Sequence, residues 1–116
     1  MRFIGGANIP SLLGWRLNAT WPLGVLTIEG GRLHLCVRAL GPFAKLFGIR
    51  PLECAAQEIA EVFLCHGMFG TSGVGFRTED TRYFYFLTGR IQDVLEVCRQ
   101  QGFAVSDEKQ RVRFGR

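Results

Sequence analysis

A strand that runs straight into one amphipathic helix does most to constrain how this chain can fold. Tyr83-Phe84-Tyr85-Phe86-Leu87 carries aromatic residues on both faces, the mark of a strand covered on two sides. Ile91, Val94, Leu95 and Cys98 then fall at i, i+3, i+4 and i+7, one apolar stripe along a helix. Gln92, Asp93, Glu96, Arg99 and Gln100 take the opposite face. Thr88 suits the N-cap. Gly102 suits the position after the last turn, where Phe103 can fold back. A helix is therefore expected over about residues 90–101.

Short strands lead up to it. Trp21 to Ile28 is rich in strand formers, and Pro22 sets its start near an edge. Glu29-Gly30-Gly31 makes a tight turn, because paired glycines supply the positive φ of a short hairpin. Arg32 to Arg38 alternates, with Leu33, Leu35 and Val37 on one face and Arg32, His34, Cys36 and Arg38 on the other. Residues 39–49 read as a loop with apolar anchors, and Arg50 to Cys54 as a short strand. Gln57 to Cys65 and Val74 to Thr78 complete the series before Arg82 to Leu87. Fifteen glycines in 116 residues agree with many turns. The expected fold is mainly β (α+β by content): a strongly bent antiparallel sheet or barrel of about six or seven strands, capped by one C-terminal helix. Residues 1–17 lack clear periodicity and read as an irregular lead-in. Residues 106–116 read as a charged, mobile tail. The folded unit is expected over residues 18–105.

Charge excludes some functions. The net charge is +4, and half of it arises after Val105, from Lys109, Arg111, Arg113 and Arg116 against Asp107 and Glu108. A nucleic-acid surface clusters its cations on a folded face, so no nucleic-acid partner is expected. No run reaches the roughly 18 apolar residues of a membrane-spanning helix. Met1 to Leu13 is interrupted by Gly5, Gly6, Asn8 and Pro10, so no signal peptide is expected. Cys36, Cys54, Cys65 and Cys98 have no Cys-x-x-Cys spacing and read as reduced thiols of a cytoplasmic protein.

The order of strand, glycine turn, strand, loop, two strands, glycine hairpin, aromatic strand and helix, with the segments EIAEVFL, GVGFRTED, YFYFLT and VLEVCRQQGF, resembles the pleckstrin-homology-like superfamily. It is most similar to the small bacterial PH-like and GRAM-like domains, over residues 18–105. The resemblance implies a bent sheet or barrel plugged at one open end by the helix of residues 90–101. It also implies binding of lipid headgroups, peptides or protein partners. One departure stands out. Phosphoinositide-binding members carry several basic residues around the first hairpin, whereas this chain offers Glu29, Gly30, Gly31 and Arg32, and no Lys before position 45.

Candidate chemistry is sparse. Cys65-His66 places a nucleophile beside a base in sequence, but neighbours on a strand point to opposite faces. His34-x-Cys36 puts two metal-type ligands on one strand face, with Cys65 or His66 as further candidates, yet no pair has structural-zinc spacing. Gly67 to Gly75 superficially resembles a phosphate loop, but a strand follows it and no Gly-Lys-Ser/Thr occurs. Tyr83 to Phe86 lack the basic neighbours of a base-stacking platform, with only Arg77 and Arg82 near. No paired carboxylates or triad are evident. No catalytic residue, metal or cofactor is expected, and the chain reads as a noncatalytic binding or scaffold module with a protein partner. The expected contact residues are Met68 and Phe69 at a hairpin tip, with the groove beside the C-terminal helix. The alternative is a peripheral lipid or small anionic ligand held by the 67–73 loop with Arg77 and Arg82. The basic tail offers a weak membrane-surface contact, and an open sheet edge offers a route to a homo-oligomer.

Overall fold

The computed structural model describes residues 1–10, 16–38, 52–66 and 72–111. Eight strands form one sheet: β1 (Arg2–Pro10), β2 (Arg16–Glu29), β3 (Arg32–Val37), β4 (Leu52–Ala55), β5 (Ile59–His66), β6 (Ser72–Thr78), β7 (Tyr83–Leu87) and β8 (Val105–Arg111). A 3-10 turn, Ala56–Glu58, precedes β5, and the helix α1 (Ile91–Gln100) joins β7 to β8. The fold is mainly β with one α-helix after β7 among the described residues.

The strand order is β4-β3-β2-β1-β7-β6-β5-β8. Two antiparallel runs, β1 to β4 and β5 to β7, meet where β1 pairs with β7. β8 adds a parallel edge beside β5. The outermost strands do not pair with each other, so the sheet is open and not a barrel. β2 to β7 answer to the six strands that the sequence places before the helix, and β1 and β8 bring the sheet to eight; both paired glycines of the β2–β3 turn have positive φ (57° and 73°).

Two segments depart from that expectation. Residues 1–17 are no irregular lead-in, because Arg2–Pro10 is a central strand with a neighbour on each side. Its glycines, which hid it in the sequence, are where neighbouring strands come close. A Cβ on Gly6 would stand 2.8 Å from the Ala19 carbonyl oxygen, a separation real Cβ atoms do not tolerate. Residues 105–111 are no loose tail either, since they pair with β5. That strand arises from edge pairing of the backbone and carries almost no apolar signal.

β2 is also longer than its sequence suggests. Gly5 faces Gly24 and Ala7 faces Ala19, so Gly6 alone opposes the four residues Thr20, Trp21, Pro22 and Leu23. Pro22 therefore marks a bulge within the strand, not its start. A bulge tolerates a residue without an N–H because the ladder is already interrupted there.

The core lies between the inner face of the sheet and α1. Phe3, Ile9, Leu26, Ile28, Leu33, Leu35, Val62, Val74, Phe76, Phe84 and Phe86 line it, joined by Val94, Leu95 and Cys98 from the helix. The helix stripe falls where the spacing places it. Arg90 rather than Thr88 is the N-cap, and the Thr88 hydroxyl accepts a hydrogen bond from the Arg90 N–H at 3.0 Å. At the other end Gly102 has φ +87°. The Gly102 N–H donates to the Arg99 carbonyl at 3.2 Å and the Phe103 N–H to the Cys98 carbonyl at 3.0 Å. This is the paired pattern of a glycine-terminated helix, and it buries Phe103 under the last turn.

Candidate functional site

The outer face of the sheet, opposite α1, has two unlike halves. Over β5, β6 and β7 it is closed. Glu61, Phe63 and Cys65 on β5 oppose Arg77, Gly75 and Gly73 on β6, which oppose Tyr83, Tyr85 and Leu87 on β7. The Phe63 ring lies over Gly75, where a Cβ would strike it. It meets Tyr83 and Tyr85 edge-on at centroid distances of 6.4 and 6.3 Å. Phe63, Cys65 and Tyr85 are fully buried. Aromatic residues 83–86 thus serve packing on both faces, as an aromatic strand covered on two sides must.

Over β1 to β4 the outer face is more open among the described residues: Arg2, Ile4, Arg32 and Arg38 are exposed and Thr27, His34 and Cys36 half-buried, while Val25 is buried. Successive cross-strand rows run Arg38 beside Leu23, then Cys36–Val25–Ile4, then Glu53–His34–Thr27–Arg2, then Ala55–Arg32 near Glu29. The first two rows are apolar and basic, and the last two carry mixed charge. Thr27, Glu29, Arg32, Leu33, His34 and Glu53 enclose a shallow concavity of about 230 Å³. His34 Nε2 stands 3.4 Å from Glu53 Oε1 across its floor. Burial raises the Cys36 thiol pKa, against the opposing pull of Arg2 and Arg38. Neither arginine has a carboxylate at ion-pair distance among the described residues.

The bulge of β2 follows Leu23 in the order of rows, next to the apolar end of this face. Trp21 is 71% exposed, and Ile4 on β1 is 42% exposed. With Met1, they are the exposed large apolar side chains among the described residues. Sequence reasoning passed over them because a Trp in a strand-forming run reads as core. Pro22 after it was the available signal that the run is interrupted.

Of the expected contact residues, the structure describes Arg77 and Arg82. Met68 and Phe69 lie outside the described residues. Arg77 sits on the closed outer face and pairs with Glu61 at 3.3 Å. Arg82 precedes β7, pairs with Asp80 at 3.0 Å and lies 5.4 Å from the Phe84 ring centroid. Tyr83 pairs with Arg77 on the outer face, whereas Phe84 points into the core. The two cations therefore lie on opposite sides of the hairpin, each already engaged. The groove beside α1 is filled along β5 by β8.

No convergent reactive group appears among the described residues. Burial pushes the thiols of Cys65 and Cys98 up to about 12, which holds them as small buried hydrophobes. All four cysteines are free. No three His, Cys, Asp or Glu side chains come together as metal ligands among the described residues. No described helix is long and apolar enough to cross a membrane. The sequence matches no protein-family model and no curated protein.

Proposed function

We propose that this chain is a noncatalytic binding module of PH-like fold, and that the open outer face of β1 to β4 takes a protein partner. The carrying observation is the pair of exposed apolar side chains Ile4, on β1, and Trp21, in the β2 bulge, together with Arg2 and Arg38, which have no carboxylate at ion-pair distance among the described residues. Large apolar groups rimmed by arginines mark interaction surfaces, and exposed Trp and Arg are favoured anchors. The PH-like reading is supported by two antiparallel runs of strands followed by a helix on the inner face. A cytoplasmic setting agrees with four free thiols.

Cross-linking with mass spectrometry tests the reading in cells expressing the chain. Trp21→Ala combined with Ile4→Ser is expected to remove the partner adducts while circular dichroism stays native, since both residues are exposed. A variant that folds and keeps every adduct sinks the assignment of this face.

A further inference from the structure

β8 joins the sheet unlike any other strand. Every other pairing is antiparallel, and β8 alone runs parallel to its neighbour. Its ladder with β5 is interrupted once, between the Val62–Val105 pair and the three pairs Leu64–Lys109, Cys65–Gln110 and His66–Arg111. The Val62 N–H donates to the Ala104 carbonyl at 2.7 Å, Phe103 is buried, and Val105 packs half-buried on the core. Beyond that the register slips. Val62 faces Val105, but Leu64 already faces Lys109, so Phe63 alone opposes Ser106, Asp107 and Glu108. Two surplus residues on β8 interrupt the ladder there.

Composition sharpens the mismatch. After Val105, β8 reads Ser-Asp-Glu-Lys-Gln-Arg and offers no apolar side chain. β5 presents the opposite character, with Val62, Phe63 and Cys65 fully buried and Leu64 half-buried. An apolar edge is being covered by a polar strand. Edges of this kind accept an added strand through main-chain hydrogen bonds, with side-chain pockets setting preference. We propose that the β5 edge beside α1 is a docking site for an extended, apolar strand of a partner protein, and that β8 is its displaceable occupant in cis. A partner strand with apolar residues at the places of Asp107 and Lys109 would set apolar side chains beside half-buried Leu64, which faces position 109. Because β8 must leave first, apparent affinity is lowered by the fraction of chains in which the edge is free. This site is separate from the outer face of β1 to β4.

The test uses the full chain and a labelled eight-residue peptide with the 104–111 sequence carrying Asp107→Val and Lys109→Val. Fluorescence anisotropy reads binding. A Leu64→Cys/Lys109→Cys variant joins two residues that face each other, so its disulfide, located by mass spectrometry, locks β8 in place. Peptide affinity is expected to fall at least tenfold on oxidation and to return on reduction of the same sample. Val105→Asp, which loosens the anchor, is expected to raise affinity about fivefold, as the free-edge fraction grows. Trp21→Ala is expected to leave peptide binding unchanged, so failure of the outer-face reading is distinguishable from failure here. Equal binding by locked and reduced forms overturns the proposal, as does absence of binding to the reduced form. Dimerisation of the Val105→Asp chain without peptide binding also overturns it, and assigns the edge to a second copy.

Discussion

Gly75→Ala should destabilise the protein through a single contact. Gly75 lies on β6 directly opposite Phe63 on β5. An added Cβ would meet Cε2 and Cζ of the Phe63 ring. The backbone there is not left-handed, so space alone decides the outcome. Phe63 is fully buried and wedged edge-on against Tyr83 and Tyr85, so its ring has no free volume to enter. Overpacking of this kind costs roughly 2 kcal/mol, or a fall of about 8 °C in Tm for a chain of this size. Phe63→Leu alone should cost about 1.5 kcal/mol by lost packing. In the double variant the shorter side chain makes room for the new methyl, so the two losses should fall short of their sum by about 1 kcal/mol. Urea denaturation followed by tryptophan fluorescence and circular dichroism measures all three. Additivity within about 0.5 kcal/mol, or a Gly75→Ala variant as stable as the parent, would refute the packing of the closed outer face.

The remaining tests address the helix end, the thiols and acid stability. Gly102→Ala forces a side chain into φ +87° and should lower stability by about 1 kcal/mol, seen as an earlier urea midpoint with an unchanged slope. Iodoacetamide at pH 8 should label half-buried Cys36 first and leave Cys65 and Cys98 unmodified in the native protein, since burial raises both to about 12. Equal labelling rates at all four would contradict that order. Asp80 has its carboxyl held below the ordinary 3.8, first by the Thr78 hydroxyl and then by Arg82. A depressed carboxylate contributes stability above its unfolded pKa and loses it as pH falls through the folded value. The Tm gap between parent and Asp80→Asn should therefore narrow as pH drops from 7 to below 3. A gap that widens on acidification would reverse the sign of the argument.

Much of the fold was legible where burial and sequence pattern agree. β3 alternates because one face is core and the other wet, and the α1 stripe lies on the core as its spacing requires. Pattern fails where backbone geometry decides. β1 shows no alternation because it is central, and close neighbours demand glycines where side chains would otherwise announce a strand. β8 is polar because it lies at an edge, and its partner supplies the apolar surface. The open half of the outer face was visible in part, through Arg32, His34 and Cys36. Its apolar corner was not, because Trp21 is exposed by a bulge that only strand registers reveal.

The sheet thus divides its surfaces by strand. Its inner face is committed to the core and α1, and the outer face over β5 to β7 to Phe63 and the tyrosines. The two proposed partner surfaces lie toward the two ends of the strand order: the outer face of β1 to β4, and the β5 edge under β8. β7 and β6 separate these surfaces, and both strands are buried on each face. A close-packed core of this kind has no spare arrangement through which one surface could influence the other. If both proposals hold, partners at the two surfaces should therefore bind independently, as on a scaffold and not on a switch. Trp21→Ala and Val105→Asp should then change the two interactions separately and additively. Measurable coupling between them would require a second state of β1, the strand on which the two halves of the sheet meet.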